Sequence, residues 1–268
     1  VQVGPGRFDP RTGLLTHLAE LPVTGPRLDL WRAPTDNDDP PREVEHAVAR
    51  EWRELGLHRL RHRVVDAGPD GDAYVVRTRA APAATDLGVL ATYRWTGDAG
   101  RLTVEVTTEP VGDWTGVLPR VGLRMAVPAG LDRVQWFGGG PGEAYADSRR
   151  AARIGRWTRR VDGMQTPYVF PQENGSRTAV RWATLTGPDG TGLRVDGEPT
   201  FELTVRRWTS EDLAAARHPY DLRPRDRIFV NLDLAQNGLG SASCGPGVLP
   251  QHELPAGRGY RFAVTFTP

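Results

Sequence analysis

Short stretches in which apolar and polar residues alternate run through most of the chain. In Leu102–Thr107, every second residue is apolar and the others are threonine or glutamate. This period of two places the apolar side chains on one face of a strand. Similar β-rich runs occur at 74–79, 89–96, 121–127, 134–137, 178–186, 201–208, 228–234 and 260–266. The pattern predicts an antiparallel β protein.

Turn-forming sequences separate several of these runs. Pro69-Asp70-Gly71, Gly97-Asp98-Ala99-Gly100 and Pro188-Asp189-Gly190 supply the residues that tight turns favour. Each of them therefore predicts a hairpin between the flanking strands.

Two segments have the periodicity of helices. The first segment is 41–57, where one face carries Val44, Val48, Trp52 and Leu55 and Gly56 ends the run. Asp38 or Asp39 could cap its start, with Pro40 or Pro41 in the first turn. In Ser210–Arg217, Thr209 and Asp212 have capping-box spacing and Pro219 follows. Two short helices cannot cover a parallel sheet, so a Rossmann fold and a (β/α)8 barrel are excluded. We predict a single all-β domain over residues 1–268.

Composition narrows the class of protein. Of 268 residues, 38% are apolar, and 34 basic against 33 acidic side chains leave a net charge of +1. This balance predicts no nucleic-acid partner, and the lack of a run of about 20 apolar residues predicts no membrane span. The one cysteine, Cys244, excludes an internal disulfide and a cysteine-based zinc site. We expect a cytoplasmic protein.

Because the chain begins Val1-Gln2-Val3, we interpret it as part of a longer polypeptide.

The first stretch that could carry chemistry is Leu30–Pro40, which contains Trp31, Arg32, Asp36, Asn37 and Asp38. Its oxygen atoms could bind a hard cation or sugar hydroxyls, although the spacing of an EF-hand is missing. The alternative is that the acidic residues cap the helix and pair with Arg32 or Arg42. We favour the alternative and predict no metal site.

The second stretch, Phe137–Asp147, is glycine-rich and includes Glu143 and Tyr145. No Lys-Ser/Thr pair follows the glycines, so we interpret it as a tight connection between strands and not as a phosphate loop. In the third stretch, Thr166–Arg177, Glu173 could serve as an acid or nucleophile, with Glu143 or Asp147 as conceivable partners. We favour a buried carboxylate that pairs with arginine.

The fourth stretch, 235–247, has too many glycines for a strand and the length of a ligand-binding loop. It contains Ser243 and Cys244, but no histidine that would activate the thiol.

Two basic segments remain. We interpret His58 and His62 as part of a solvated basic edge. We interpret the arginines between 149 and 160 as a solvated face paired with Asp147 and Asp162.

Together, four motifs carry a family resemblance: WRAPTDND at 31–38, GGGPGEAYADS at 138–148, TPYVFPQENGSR at 166–177 and NLDLAQNGLGSASCGP at 231–246. They resemble the C-terminal, small-chain (fifth) domain of the large family-2 β-galactosidases, from about Gly13 to the end of the chain. The resemblance implies an antiparallel β-supersandwich similar to galactose mutarotase. It also implies that the catalytic carboxylates and the essential magnesium lie in a barrel outside this chain, which then has no catalytic residue and no cofactor of its own.

The resemblance further assigns a position to the fourth stretch. In the family a loop there reaches the mouth of the active site and carries a tryptophan that stacks on the sugar. Cys244 stands at the matching position, next to Ser243, which implies weaker stacking. Ala144, Ala146 and Ser148 also depart from the family pattern. Trp31, Arg32, Asp36, Asn37, Asp38, Glu143, Tyr145, Glu173 and Asn174 are expected to be mainly structural.

Three hypotheses follow. The first is an accessory domain of a retaining β-galactosidase, whose partners are the N-terminal domains, a galactoside substrate and, in a homo-oligomer, further copies. The second is a free-standing sugar epimerase of the mutarotase type, with His218, His252 and Glu173 as candidate acid and base. The third is a carbohydrate-binding or assembly module.

Overall fold

A computed structural model describes residues 1–40, 47–83 and 85–268 of the chain. These residues form sixteen strands and two short α-helices. The strands are β1 Gln2–Val3, β2 Gly6–Phe8, β3 Leu15–Leu18, β4 Leu21–Pro22, β5 Thr24–Asp29, β6 Arg61–Asp70, β7 Ala73–Ala81, β8 Gly88–Gly97, β9 Leu102–Val111, β10 Arg120–Pro128, β11 Arg133–Gly140, β12 Arg153–Arg160, β13 Arg177–Thr186, β14 Gly192–Arg206, β15 Arg227–Gln236 and β16 Tyr260–Thr267. The helices are α1 Val48–Glu54, between β5 and β6, and α2 Ser210–Ala215, between β14 and β15.

All described strand pairs are antiparallel, and they form two sheets. Strands β1 to β4 form a small sheet in chain order. The large sheet runs β12-β11-β13-β14-β16-β9-β8-β7-β6, and β15, β10 and β5 continue from β14 on a second branch. The hairpins predicted at 69–71, 97–100 and 188–190 join β6 to β7, β8 to β9 and β13 to β14.

The long strand β14 is where the large sheet divides. Its first half pairs with β16 over 194–198, and its second half pairs with β15 over 202–206. The two branches then face each other: the backbone N–H of Leu28 on β5 donates to the hydroxyl of Tyr93 on β8 at 2.8 Å. One hydrophobic cluster fills the space between them and includes Trp95, Leu123, Leu203 and Phe266. The predicted all-β antiparallel supersandwich with two short helices is confirmed.

Local chemistry explains where α2 begins and where the α1 region ends. At α2, Thr209 accepts from the Asp212 N–H and Asp212 accepts from the Thr209 N–H, which is the predicted capping box. Gly56, with φ of 73°, ends the α1 region in a left-handed conformation that glycine tolerates best. The part of the predicted first helix at 41–46 lies outside the described residues.

Sequence patterning misses the edge strands of the large sheet. In β12 most residues are exposed, and β6 likewise has few buried positions. An edge strand that is solvated on both faces needs no alternation, so its sequence reads as a polar segment. The segment interpreted as a solvated arginine face is therefore strand β12.

Candidate functional site

Strands β5, β10, β15 and β14 have one apolar face and one charged face. Their apolar face, with Leu28, Leu123, Leu232 and Leu203, belongs to the core. The opposite face is defined here as the charged face and carries Asp29, Arg120, Arg124, Asn231, Asp233, Glu202 and Arg206. These side chains are buried to different degrees. The four sequence motifs lie next to the charged face and form hydrogen bonds with it and with one another.

Three carboxyl groups form a row across the charged face. The register places Asp29, Gly122, Asp233 and Glu202 opposite one another on the four neighbouring strands. Gly122 leaves the space that Asp233 occupies, because a Cβ atom there would lie 2.1 Å from the Asp233 Oδ1. A side chain at this position would displace the row.

Arg120 lies among these carboxyl groups and is fully buried. Its Nε is 3.2 Å from Asp233, and its terminal nitrogens are 3.4 Å from Glu173 and 3.7 Å from Asp29. Burial acts to lower the pKa of Arg120, but the three carboxyl groups outweigh it and raise that pKa. Arg120 thus compensates the negative charge of the neighbouring carboxyl groups.

Glu173, the glycosidase-like carboxyl of the third motif, is 2% exposed and engaged by two arginines. Its Oε1 accepts from Arg206 at 2.6 Å and from Arg120 at 3.4 Å. Burial acts to raise the pKa of Glu173, yet the two guanidiniums hold it below its usual value. Glu173 is therefore a buried anion paired with two arginines.

Asp38 performs a similar task in the first motif. It accepts from Arg32 at 2.7 and 3.0 Å and from the Thr35 N–H at 2.8 Å. Burial raises the pKa of Asp38 even beside Arg32. Arg32 also donates to the carbonyls of Asn237 and Gly238 at 2.5 and 3.2 Å, so this ion pair joins the first motif to the fourth.

The third motif is tied to both its neighbours. Gln172 donates from Nε2 to Asp36 at 3.0 Å, which joins the first and third motifs. Glu143 of the second motif accepts from the Tyr168 hydroxyl at 2.5 Å and from the Gly175 N–H at 2.7 Å. Partial burial and the bond to Glu143 raise the pKa of Tyr168 to about 12.

The loop that carries Cys244 is held at its base and leaves the cysteine in solvent. Asp147 accepts the N–H groups of Leu239 and Gly240 at 2.9 and 2.8 Å. Asn37 accepts from the Ser243 hydroxyl at 2.6 Å and from its N–H at 3.2 Å. Cys244 is exposed at the tip. The structure thus brings all four motifs together and presents the Ser243–Cys244 tip outward.

Three further motif residues, Tyr145, Trp31 and Asn174, are buried. Tyr145 is 1% exposed, its hydroxyl has no partner in the described part of the chain, and burial together with Glu173 and Glu143 raises its pKa well above 10. Trp31 packs edge-on against Trp52, with ring centroids 6.5 Å apart. Asn174 accepts the Thr166 N–H at 3.1 Å and so closes the third motif.

Two interpretations of basic segments need correction: His62 is not fully solvated, and the arginines between 149 and 160 form an exposed face, as predicted, but without the predicted acidic partners. His62 on β6 is half-buried, and burial together with the Arg27 charge lowers its pKa to about 4, so it is not part of a solvated basic edge. Asp162 pairs with Arg207 at 2.8 Å, and Asp147 binds backbone N–H groups. Neither acid pairs with the β12 arginines, because tertiary contacts supply other partners.

Sequence reasoning did not single out Arg120, Arg206, Asp29, Asp233 or Glu202 as members of the site. The available signal was a charged residue inside a strand of apolar neighbours, as in Leu28-Asp29-Leu30 and Leu232-Asp233-Leu234. Such a charge is almost never buried unless it is paired, so each one predicts a partner elsewhere.

Within the described ranges, no group of three or more histidine, cysteine, aspartate or glutamate residues has an arrangement that could hold a metal ion. The described helices are also too short or too polar for any of them to cross a membrane.

Comparison with known proteins agrees with the motifs. Residues 6–266 match the model of the family described as beta galactosidase small chain. The match covers nearly the whole chain. The chain belongs to the β-galactosidase small-chain family, as the resemblance of the four motifs predicted.

Relatives and solved structures add detail. A β-galactosidase of Arthrobacter sp. (strain B7) is 35% identical over 275 residues, covering 95% of this chain and 27% of that protein. One of Priestia megaterium is 30% identical, covering 97% and 25%. The chain thus spans about a quarter of these relatives. A galactose mutarotase related enzyme from Lactobacillus acidophilus aligns at a TM-score of 0.38 and 8% identity, covering 77% of this chain and 70% of that one. The fold assignment rests on the strand pairing above.

Proposed function

We propose that this chain is the accessory C-terminal domain of a retaining β-galactosidase that hydrolyses terminal β-D-galactosides such as lactose. The observation that carries the proposal is coverage: the small-chain family spans residues 6–266, while relatives named β-galactosidase are about four times longer than their match. Residues 1–268 act as a single domain in this proposal, which the continuous hydrophobic cluster between both branches of the large sheet supports.

The chain itself carries no bond-breaking group in this proposal. Retaining hydrolysis needs one carboxyl as acid and base and a second as nucleophile, about 5–5.5 Å apart. Glu173, Glu143 and Asp147 are instead occupied by arginines, a tyrosine hydroxyl and backbone N–H groups. The catalytic pair and the magnesium ion belong to the rest of the enzyme.

Hydrolysis of p-nitrophenyl β-D-galactoside tests this division of labour. The pure 268-residue chain should give no turnover, and turnover should appear in the assembled enzyme that contains it. Turnover by the isolated chain, abolished by replacement of one of its own carboxyl groups, would contradict the proposal.

The chain contributes a wall of the active-site mouth through the Ser243–Cys244 tip. The tip is exposed while its base is fixed by Asn37 and Asp147. A fixed, solvent-facing tip suits contact with a sugar bound by another domain. A thiol offers no flat face to the sugar, so this enzyme should stack on its substrate more weakly than a tryptophan-bearing relative.

Replacement of Cys244 by tryptophan in the assembled enzyme tests the role of the tip. We expect KM for lactose to fall by about two- to tenfold, the equivalent of about 0.5–1.5 kcal/mol of added contact. Cys244→Ala is the matched control and should leave KM within about twofold, since neither side chain stacks. An unchanged KM in the tryptophan variant would contradict contact between the tip and the substrate.

A further inference from the structure

The third motif exposes three consecutive large apolar side chains. Tyr168 is 40% exposed, Val169 86% and Phe170 55%. Single exposed apolar residues are ordinary on a protein surface, but a contiguous group of them marks an interaction site. The group lies beside the charged face and does not take part in its ion pairs.

The exposed group is held in one shape by polar bonds beneath it. The Tyr168 hydroxyl donates to Glu143, and Gln172 donates to the Phe170 carbonyl at 3.2 Å as well as to Asp36. Asn174 fixes the start of the segment through the Thr166 N–H. A surface that is already ordered loses little conformational entropy when it binds, which favours a role in recognition.

A groove of about 300 Å³ lies next to this group and extends the apolar surface. Pro167, Tyr168, Trp208, Pro219 and Leu222 are among the residues that line it. Tyr220, beside Pro219, is 71% exposed. We define Tyr168–Phe170, Tyr220 and this groove as the apolar docking face.

The groove is lined mainly by apolar side chains, Trp208 and Leu222 among them. It therefore fits an apolar side chain of a polypeptide segment.

We propose that the apolar docking face binds the catalytic portion of the same β-galactosidase, an inference that rests on the proposed function. Two observations identify this occupant. About three quarters of the length of the matched relatives lies outside the matched region, which leaves a large partner for such a surface. The face is also joined to the Ser243–Cys244 tip, since Gln172 binds Asp36 and the adjacent Asn37 binds Ser243. Docking here would set the position of the tip.

Hydroxyl-radical footprinting tests the proposal. It compares the isolated chain with the assembled enzyme that contains this chain in its native organism. Oxidation of Tyr168, Phe170 and Tyr220 should be at least about fivefold slower in the assembled enzyme, because docked anchor residues are desolvated. Equal oxidation rates in both samples would overturn the docking face. Protection that grows with concentration in the isolated chain, together with dimer formation, would also overturn it by making a second copy the occupant.

Variants of the assembled enzyme give an independent measurement. In the assembled enzyme, Val169→Ser with Phe170→Ser should weaken docking by about thirtyfold, the loss of one strong interface anchor, and so raise the oxidation rate of Tyr168 and Tyr220 toward that of the isolated chain. Ile154→Ser, at an exposed apolar position on β12, is the matched control and should change docking by less than about twofold.

The same samples separate this inference from the proposed function. Suppose that the assembled enzyme hydrolyses p-nitrophenyl β-D-galactoside while radicals oxidise its docking face as fast as that of the isolated chain. In that case the proposed docking is wrong and the proposed function stands. If no portion that confers galactosidase activity is encoded in the genome, the proposed function fails, and the docking face fails with it.

Discussion

The β7–β8–β9 meander and the charged face are both buried, yet different forces hold them. In the meander, Val76, Trp95, Val104 and Phe266 of the adjoining β16 are at most 2% exposed and pack on apolar neighbours. The strands follow one another through short hairpins. On the charged face, arginine–carboxylate pairs between distant parts of the chain take the place of apolar contacts.

The difference teaches how each region responds to change. Apolar packing has no preferred direction and degrades in proportion to the volume removed. A buried ion pair contributes little by itself, but the loss of one partner leaves an uncompensated charge away from water. The meander should therefore tolerate conservative replacement, whereas the charged face should not.

The largest expected effect is at Glu173. Glu173→Gln leaves Arg206 and Arg120 without their shared anion, and we expect the free energy of unfolding to fall by about 3–5 kcal/mol. Urea denaturation of the 268-residue chain measures it. The matched control is Glu105→Gln, whose pair with Arg261 is half-exposed and should be worth less than about 1 kcal/mol. Equal losses in both variants would contradict the special status of the charged face.

The meander should lose somewhat less from a truncation. Leu102→Ala on β9 removes a fully buried side chain, and we expect a loss of about 3 kcal/mol from transfer and cavity terms. Leu102→Met, which conserves volume, should cost less than about 1.5 kcal/mol. Equal losses of stability in the methionine and alanine variants would contradict the prediction that the meander tolerates conservative replacement.

A smaller effect with a distinctive pH dependence is expected at Glu202. Burial raises the pKa of Glu202 from 4.5 to about 7. The folded state therefore binds more protons than the unfolded state between these values, so the stability contributed by Glu202 is present below pH 4.5 and lost as the pH rises through 7. Glu202→Gln should gain roughly 1–2 kcal/mol relative to the parent at pH 8.

Urea titrations of both proteins at pH 5 and pH 8 check this prediction. The advantage of the glutamine variant should be larger at pH 8 than at pH 5. A pH-independent difference would show that Glu202 does not titrate between these values in the folded protein.

The smallest effect on global stability is expected at Asn37. Asn37→Ala removes the bonds to Ser243 and to the Gly240 carbonyl, which are partly solvated, so the loss should be about 1 kcal/mol or less. Hydrogen exchange at the Ser243 N–H should nevertheless accelerate, because its acceptor is gone. Ser243→Ala keeps that acceptor and serves as control; similar acceleration in both variants would contradict the role of Asn37.

Local sequence signals were sufficient where partners are close in the chain. The alternation in Leu102–Thr107, the turn at 97–100 and the Thr209–Asp212 capping box each predicted the observed element. Hairpin pairing and capping depend on residues a few positions apart, so their chemistry is visible in one short window. The edge strands β6 and β12 were missed, because solvation on both faces removes the alternation.

The motif end of the molecule shows the opposite case. The sequence suggested that Glu173 and Asp38 pair with arginine, but it could not identify Arg206 or Arg120 as the partners of Glu173. Arg32 reaches the carbonyl of Asn237, 205 positions away. Such contacts follow from strand order and register, which no local window contains.

The sequence by itself determined nine of the sixteen described strands, the turns, the second helix and the family, because periodicity, turn chemistry and the four motifs are local properties. Only the tertiary structure decided which charges meet on the charged face, how the four motifs come together and which apolar side chains remain exposed at Tyr168–Phe170. The physical reason is that an ion pair or a docking surface depends on distances in space, and the branching of the sheet at β14 sets those distances.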